Sequence, residues 1–175
     1  MLFRSRRFRG VRDALVPPAP EITLPAGPSE VREKSNRKEA VVLIGYPGIA
    51  VTDGHRAELD LLSALLNSQG GLLFDRLREK EPLVYVSGFS HFVGLQPGMV
   101  YFFAQCRPES VDRVREVIAG IIADLVTHPR ADEEMETLKT RVLGRGRINR
   151  QTISARALDA GLSELYGLGF DYSLR

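Results

Sequence analysis

Leu72–Ser87 reads LLFDRLREKEPLVYVS. Its first part, Leu72–Lys80, has the make-up of a short helix whose cations gather toward the C-terminal end, where the helix dipole favours them. Pro82 breaks that helix, because proline lacks a backbone donor. From Val84 the chain is rich in β-branched and aromatic residues, which favour strand. The segment is therefore a helix that passes through one tight connection into a strand.

Working outward, the strand at Val84–Val93 has a natural partner in Gly98–Cys106. The intervening Leu95-Gln96-Pro97-Gly98 is a turn, so the two form an antiparallel hairpin. Ala40–Tyr46 (AVVLIGY) is a third short apolar run, stopped by Pro47-Gly48. Between it and the first helix, Thr52 or Asp53 is placed to cap a helix starting near Gly54. Ala57, Leu61, Ala64 and Leu65 form the stripe of that helix. Leu62 and Leu66 widen it, which predicts packing on two sides. Asn67-Ser68-Gln69-Gly70-Gly71 has helix-stop chemistry rather than that of a phosphate loop.

Beyond the hairpin, Pro108 suits the first turn of a helix. Val111, Val114, Ile118, Ile121, Ile122 and Leu125 give the clearest amphipathic stripe in the chain. Pro129 ends it. Asp132 is placed to cap a helix over Glu133–Asn149, with Met135, Leu138 and Val142 inward and Arg141, Arg145, Arg147 and Arg150 on a solvated face. Ser154 opens a last helix through Tyr166, with Leu158, Leu162 and Leu165 expected inside. The order strand, helix, helix, strand, strand, helix, helix, helix predicts the α+β class: an antiparallel-rich sheet covered on one face by helices.

Length and composition agree. The chain has 175 residues, 43% hydrophobic and 26% charged, which suits one domain with a real core. Residues 1–38 divide off as a basic segment and a proline-rich connector, and residues 39–175 as the domain proper. Arg4, Arg6, Arg7, Arg9 and Arg12 sit in an acid-free start, a pattern shared by transit peptides and basic arms. The favoured reading there is a solvated helix with Phe8, Val11 and Leu15 on its buried side. An edge strand is expected at Glu21–Leu24. A net charge of +2 is too small to argue for nucleic acid as partner. The basic face at residues 139–150 lacks the interleaved aromatics of single-strand binders. No apolar run reaches the length of a membrane span. A soluble protein is expected, in the bacterial cytoplasm or periplasm.

Much chemistry is missing. His55, His91 and His128 are far apart and share no ligand spacing, and one cysteine cannot build a thiolate zinc site. His55-Arg56-Ala57-Glu58-Leu59 falls one residue short of H-x-x-E-H, where two histidines face one metal and the Glu activates its water. Leu59 stands where the second histidine must be, so His55 and Glu58 are expected as exposed residues of a first helical turn. Cys106, with no base beside it in sequence, reads as a buried structural thiol.

Arg78 and Tyr85 stand seven residues apart, one at the helix end and one at the strand start. Taken alone, such an Arg is a surface charge and such a Tyr is packing. Brought together across the Pro82 connection, a guanidinium and a phenol can both donate to an oxygen that becomes negative, as the scissile carbonyl does in peptide hydrolysis.

Gly70-Gly71-Leu72-Leu73-Phe74-Asp75-Arg76-Leu77-Arg78-Glu79-Lys80, followed by Leu83-Val84-Tyr85, resembles the C-terminal, non-zinc domain of the M16 (insulinase/pitrilysin/mitochondrial processing peptidase-like) metallopeptidases. Gly98, Pro108-Glu109, Asp132-Glu133-Glu134 and Ser154-Ala155-Arg156-Ala157 fall in the family's order, so the resemblance spans about Glu39–Gly169. It implies a LuxS/MPP-like metallohydrolase fold. It further implies that Tyr85 stabilises the oxyanion of a bound peptide while Arg78 holds its backbone. Zinc, its ligands and the general-base Glu are then held by an H-x-x-E-H-bearing M16 domain or subunit, and this chain alone is not active. A homodimer is a further arrangement the resemblance admits. Val84 departs from the Gly or Ala common before the family Tyr. The family's closing helix and strand are not found after the last helix, which implies a domain incomplete at its end. The alternative function is a catalytically inactive M16-like structural or assembly subunit. A subunit that had lost catalysis would have no need of the Arg78/Tyr85 pair, so the catalytic half is preferred.

Overall fold

The computed structural model describes residues 22–23, 26–34 and 36–174. The expected N-terminal helix with Phe8, Val11 and Leu15 lies outside them, as do Glu21 and Leu24 of the expected edge strand. Three strands, β1 (Ala40–Pro47), β2 (Val84–Phe92) and β3 (Met99–Cys106), form an antiparallel sheet in the order β1-β3-β2. The hairpin predicted from its turn therefore leaves β3 central, with Ala40 and Val84 both opposite Cys106.

The period of two decides which side is covered. Val42 on β1, Phe89 on β2 and Phe102, Ala104 and Cys106 on β3 point into the core, while Val41, Leu43 and Met99 are exposed on the opposite face. Phe89 and Phe102 meet edge to face, ring centroids 5.1 Å apart. Onto this face pack α1 (Arg56–Asn67), the short α2 (Leu72–Phe74) and α3 (Val111–Thr127). α3 buries Val114, Ile118 and Ile121, as its stripe predicts. Each such side chain contributes roughly 1.5–3 kcal/mol by leaving water. α1 packs against β2 on one side and α4 (Asp132–Asn149) on the other, so the two-sided packing expected of it is observed.

Several local expectations are corrected. α1 starts at Arg56, and neither Thr52 nor Asp53 is its N-cap residue. Instead Asp53 accepts from the His55 backbone N–H and contacts its ring, closing the turn before the helix. Ala57 is exposed, and the buried face is carried by Leu65 and Leu66. Leu72–Lys80 is not one regular helix: α2 gives way to wider π-helical turns at Asp75–Lys80. α4 begins at Asp132 itself, with Ala131 ahead of it. The last helix, α5 (Ile153–Leu165), is capped by Thr152, whose hydroxyl accepts from Ala155 N–H at 3.1 Å, and not by Ser154.

The largest correction concerns α5. Leu158, Leu162 and Leu165 are 64%, 38% and 75% exposed, not buried. Amphipathic spacing reports a face suited to burial; it does not supply the surface that covers it. Among the described residues α5 is joined to the segment after it by Ser173 Oγ on Asp159 at 2.9 Å, and that segment is tied to the end of α4 by the Arg150 guanidinium on the Ser173 carbonyl.

Candidate functional site

The connection between the π-helical turns and β2 is tightly tied. Leu83 N–H donates to the Leu77 carbonyl at 3.0 Å, closing the turn through Pro82. Leu77 is fully buried and anchors this turn in the core, together with Leu73 and Val84. From α3, Arg113 reaches Glu81 with two nitrogens, 2.7 and 2.6 Å from the carboxylate oxygens. This forked pair holds the Glu81 carboxyl below its ordinary range and raises the Arg113 guanidinium. The stretch between Arg78 and Tyr85 is thus fixed at both backbone and side chain.

At its two ends the backbone is irregular. Arg78 lies in the π-helical turns, a geometry that recurs at functional sites. Val84 faces Cys106 and Val86 faces Gln105, so Tyr85 is the extra residue of a β-bulge, which re-aims side chains. Val84, the departure noted from the family pattern, is buried in the core and pins the strand just before that bulge.

The result is one cleft of about 210 Å³ lined by both Arg78 and Tyr85. Phe74, Val86 and Ser87 complete its helix and strand walls, and Asn67, Ser68 and Gln69 close one end. The Arg78 guanidinium lies 5.7 Å from the centre of the Phe74 ring, a cation–π distance that orients it. Arg113, Arg115 and Arg130 all pair with carboxylates. No such pair forms at Arg78 among the described residues, and its donors remain available. Tyr85 is 48% exposed. Its phenol oxygen lies 3.4 Å from Arg107 Nε, at the long end of hydrogen bonding, with Arg107 donating. A phenol that accepts from a cation keeps its own O–H free to donate elsewhere.

Sequence reasoning found Arg78 and Tyr85 but missed Arg107, Asn67, Ser68, Gln69 and Ser87. Arg107 follows Cys106 at the end of β3, and only the β2–β3 register places it beside Tyr85. Asn67, Ser68 and Gln69 were legible as a helix stop, without a sign of what they face. A larger groove, about 460 Å³, opens on the far side of the same loop against α4, lined by Leu65, Leu138 and Arg141 among others. Arg78 and Tyr85 do not line it.

The residues present do not fit a metal. Among those described, no three His, Cys, Asp or Glu side chains come together. His55 pairs with Asp53 at 2.9 Å, which raises its pKa through the hydrogen bond to that carboxylate. His91 lies 3.5 Å from Asp60, and His128 lies 3.1 Å from Asp124. Each histidine thus meets one carboxylate, at a different place. Cys106 is fully buried, and burial pushes its thiol pKa up, which makes it a poor nucleophile. No helix among the described residues is long and apolar enough to cross a membrane.

Comparison with known proteins identifies the family and the fold. Residues 3–142 match the family described as the peptidase M16 inactive domain. An uncharacterized zinc protease of Streptomyces coelicolor is 31% identical over 132 residues, a match covering 73% of this chain and 28% of that protein. The chain therefore spans little more than a quarter of that relative. Among solved structures, the peptidase M16 inactive domain from Pseudomonas fluorescens is similar with a TM-score of 0.69 at 18% identity, over 77% of this chain and 32% of that one. The inactive peptidase domain of a candidate zinc protease from Bordetella parapertussis also gives 0.69 at 18% identity, over 82% of this chain and 79% of that one. A protease from Helicobacter pylori gives 0.69 at 20% identity, over 81% and 35% respectively. At such identities the structural likenesses speak for the fold.

Proposed function

The chain belongs to the M16 peptidase family as a domain of its inactive, C-terminal type, and from that premise we propose that it is the substrate-holding, oxyanion-stabilising half of a zinc endopeptidase. The observation that carries the proposal is the shared cleft. Two hydrogen-bond donors of the kind hydrolysis needs, Arg78 and Tyr85, line one small concavity, and neither is spent on a carboxylate.

A peptide carbonyl under attack gathers negative charge on its oxygen. The free Tyr85 O–H is a neutral donor whose bond strengthens as that charge grows. Arg78, oriented over Phe74, holds a neighbouring backbone carbonyl of the same peptide through its planar fork of donors. Arg107, donating to the Tyr85 oxygen, keeps the Tyr85 proton directed away from itself. Zinc, its ligands and the base belong in this reading to an H-x-x-E-H-bearing partner domain or subunit. The described residues of this chain offer no place for them. A complete active centre then forms only when the two halves face each other across a bound peptide.

The test is reconstitution. This chain is mixed with the H-x-x-E-H-bearing half, and cleavage of an unfolded peptide is followed for wild type and Tyr85→Phe. A loss on the order of 10²–10³ in kcat is expected for the variant, the usual effect of removing one oxyanion donor. Full activity of Tyr85→Phe in an active mixture would sink the oxyanion role. The alternative, a structural or assembly subunit, would then take its place.

A further inference from the structure

Arg107 brings a second guanidinium to the edge of the cleft, and only part of its donor capacity is used. Its Nε donates to the Tyr85 oxygen at 3.4 Å. Its terminal nitrogens, Nη1 and Nη2, make no hydrogen bond or ion pair among the described residues. A guanidinium is a rigid planar fork of five N–H donors, so holding Nε leaves free the edge formed by the two terminal nitrogens. Strand register explains why this residue meets Tyr85. Ala40 and Val84 both stand opposite Cys106, so Arg107 leaves the central strand between β1 and β2. Glu39, one step before Ala40, is the acid on the β1 side, but it accepts from the Gln105 amide instead. Glu81, ahead of β2, is held by the Arg113 fork. The Arg107 pKa is raised, first by the hydrogen bond to Tyr85 and then by the charge of Glu109, yet Glu109 forms no ion pair with it.

Arg113, Arg115 and Arg130 each find a carboxylate within the fold. Arg78 in the cleft and Arg107 at its edge do not, among the described residues. The Tyr85 phenol joins the two: it shares the cleft with Arg78 and accepts from Arg107. The patch is thus rich in donors, carries two positive charges and has its local acids engaged elsewhere. One developing oxyanion uses the Tyr85 O–H and leaves the Arg107 fork unused. Two parallel donors on a cation match the two oxygens of a carboxylate, which pairs with both at once.

We propose that Arg107 is a specificity-determining residue that grips a carboxylate of the substrate peptide end-on, through Nη1 and Nη2, while its Nε stays on Tyr85. The proposal rests on the functional reading above and deepens it by naming a substrate class: peptides with an acidic group close to the bond that is cut. A carboxylate at the far edge of the fork lies roughly two residues of extended chain from the carbonyl that Tyr85 meets. An Asp or Glu side chain and a free C-terminus offer the same pair of oxygens. A neutral side chain leaves the fork in water with no gain, and a cationic one is repelled.

The inference is tested by binding to this chain, without catalysis. An unfolded peptide of about ten residues is made in three forms: neutral with an amidated C-terminus, the same with one Asp at each position in turn, and neutral with a free C-terminus. Wild type should bind one Asp position, or the free C-terminus, about fivefold or more tighter than the neutral amide, and the form that gains names the source of the carboxylate. Arg107→Gln should close that gap. Arg141→Gln, which removes another exposed cation from the larger groove, should leave it unchanged. Equal Kd for all forms, or no binding of any, overturns the inference. So does a gap that is the same at every Asp position or survives Arg107→Gln, because overall charge then accounts for it. The reconstitution assay separates the two readings. With no gap, a loss of activity in Tyr85→Phe keeps the oxyanion role and rejects the carboxylate grip. With a gap and a fully active Tyr85→Phe, the oxyanion role falls and the grip stands as a docking contact.

Discussion

Two adjacent glycines in the loop between α1 and α2, both lining the larger groove, respond to alanine for opposite physical reasons. Gly70 has φ +79°, in the left-handed region, with open space where a Cβ would stand. Gly70→Ala therefore suffers only backbone strain, about 1–2 kcal/mol. The stiffer unfolded chain offsets this by about 0.4–1 kcal/mol, leaving a net loss near 1. Gly71 is the reverse case. Its φ of −68° and ψ of 165° suit any residue. Judged by dihedrals alone, Gly71→Ala should stabilise by about 0.4–1 kcal/mol. Yet its Cβ would stand 2.7 Å from the Ser68 carbonyl oxygen and 2.8 Å from those of Leu65 and Leu66. These are backbone atoms at the end of α1, which cannot swing aside as a side-chain tip does. Overpacking of this kind costs about 1–3 kcal/mol, and three backbone contacts place it toward the upper end, near 2 after the entropic offset. With m of about 2 kcal/mol/M, the urea midpoint should fall by about 1 M for Gly71→Ala and about half as much for Gly70→Ala. Because α2 starts at Leu72, the displacement also moves Arg78, so peptide binding should weaken at temperatures where the variant is still folded. A Gly71→Ala protein as stable as wild type would refute the reasoning.

Other outcomes follow from the same geometry. The Arg113 fork lowers the Glu81 pKa, so its stabilisation is complete above the unfolded value of 4.5 and is lost as pH falls through the lower folded value. Denaturation of wild type and Glu81→Gln at pH 6 and pH 3 should show wild type ahead at pH 6 and the gap closed at pH 3; a constant gap would dismiss the ion pair. Cys106 should resist a thiol reagent in the native protein and react at once in denaturant, and immediate native labelling would contradict its burial. On α5, Leu158→Ser should shift stability by no more than about 0.5 kcal/mol, whereas Leu138→Ala on α4, only 4% exposed, should cost about 2 kcal/mol or more in the same urea experiment. Equal losses at the two sites would restore the buried reading of α5.

Sequence alone determined the α+β class, the hairpin, the α3 stripe and the buried thiol, because each depends on local periodicity or on a breaker such as Pro82 or Pro108. It also singled out Arg78 and Tyr85, through the spacing of a family motif rather than through any visible contact. Tertiary structure alone decided what those residues meet. The π-helical turn at Arg78, the bulge at Tyr85, the Arg107 contact and the Asn67 amide on the Phe89 backbone join residues as much as 22 positions apart. Local preferences do not encode such pairings, which arise only once strand register and helix docking are set. The exposed α5 face marks the same divide: the amphipathic pattern is written in the chain, but whether a surface lies opposite is a property of the fold.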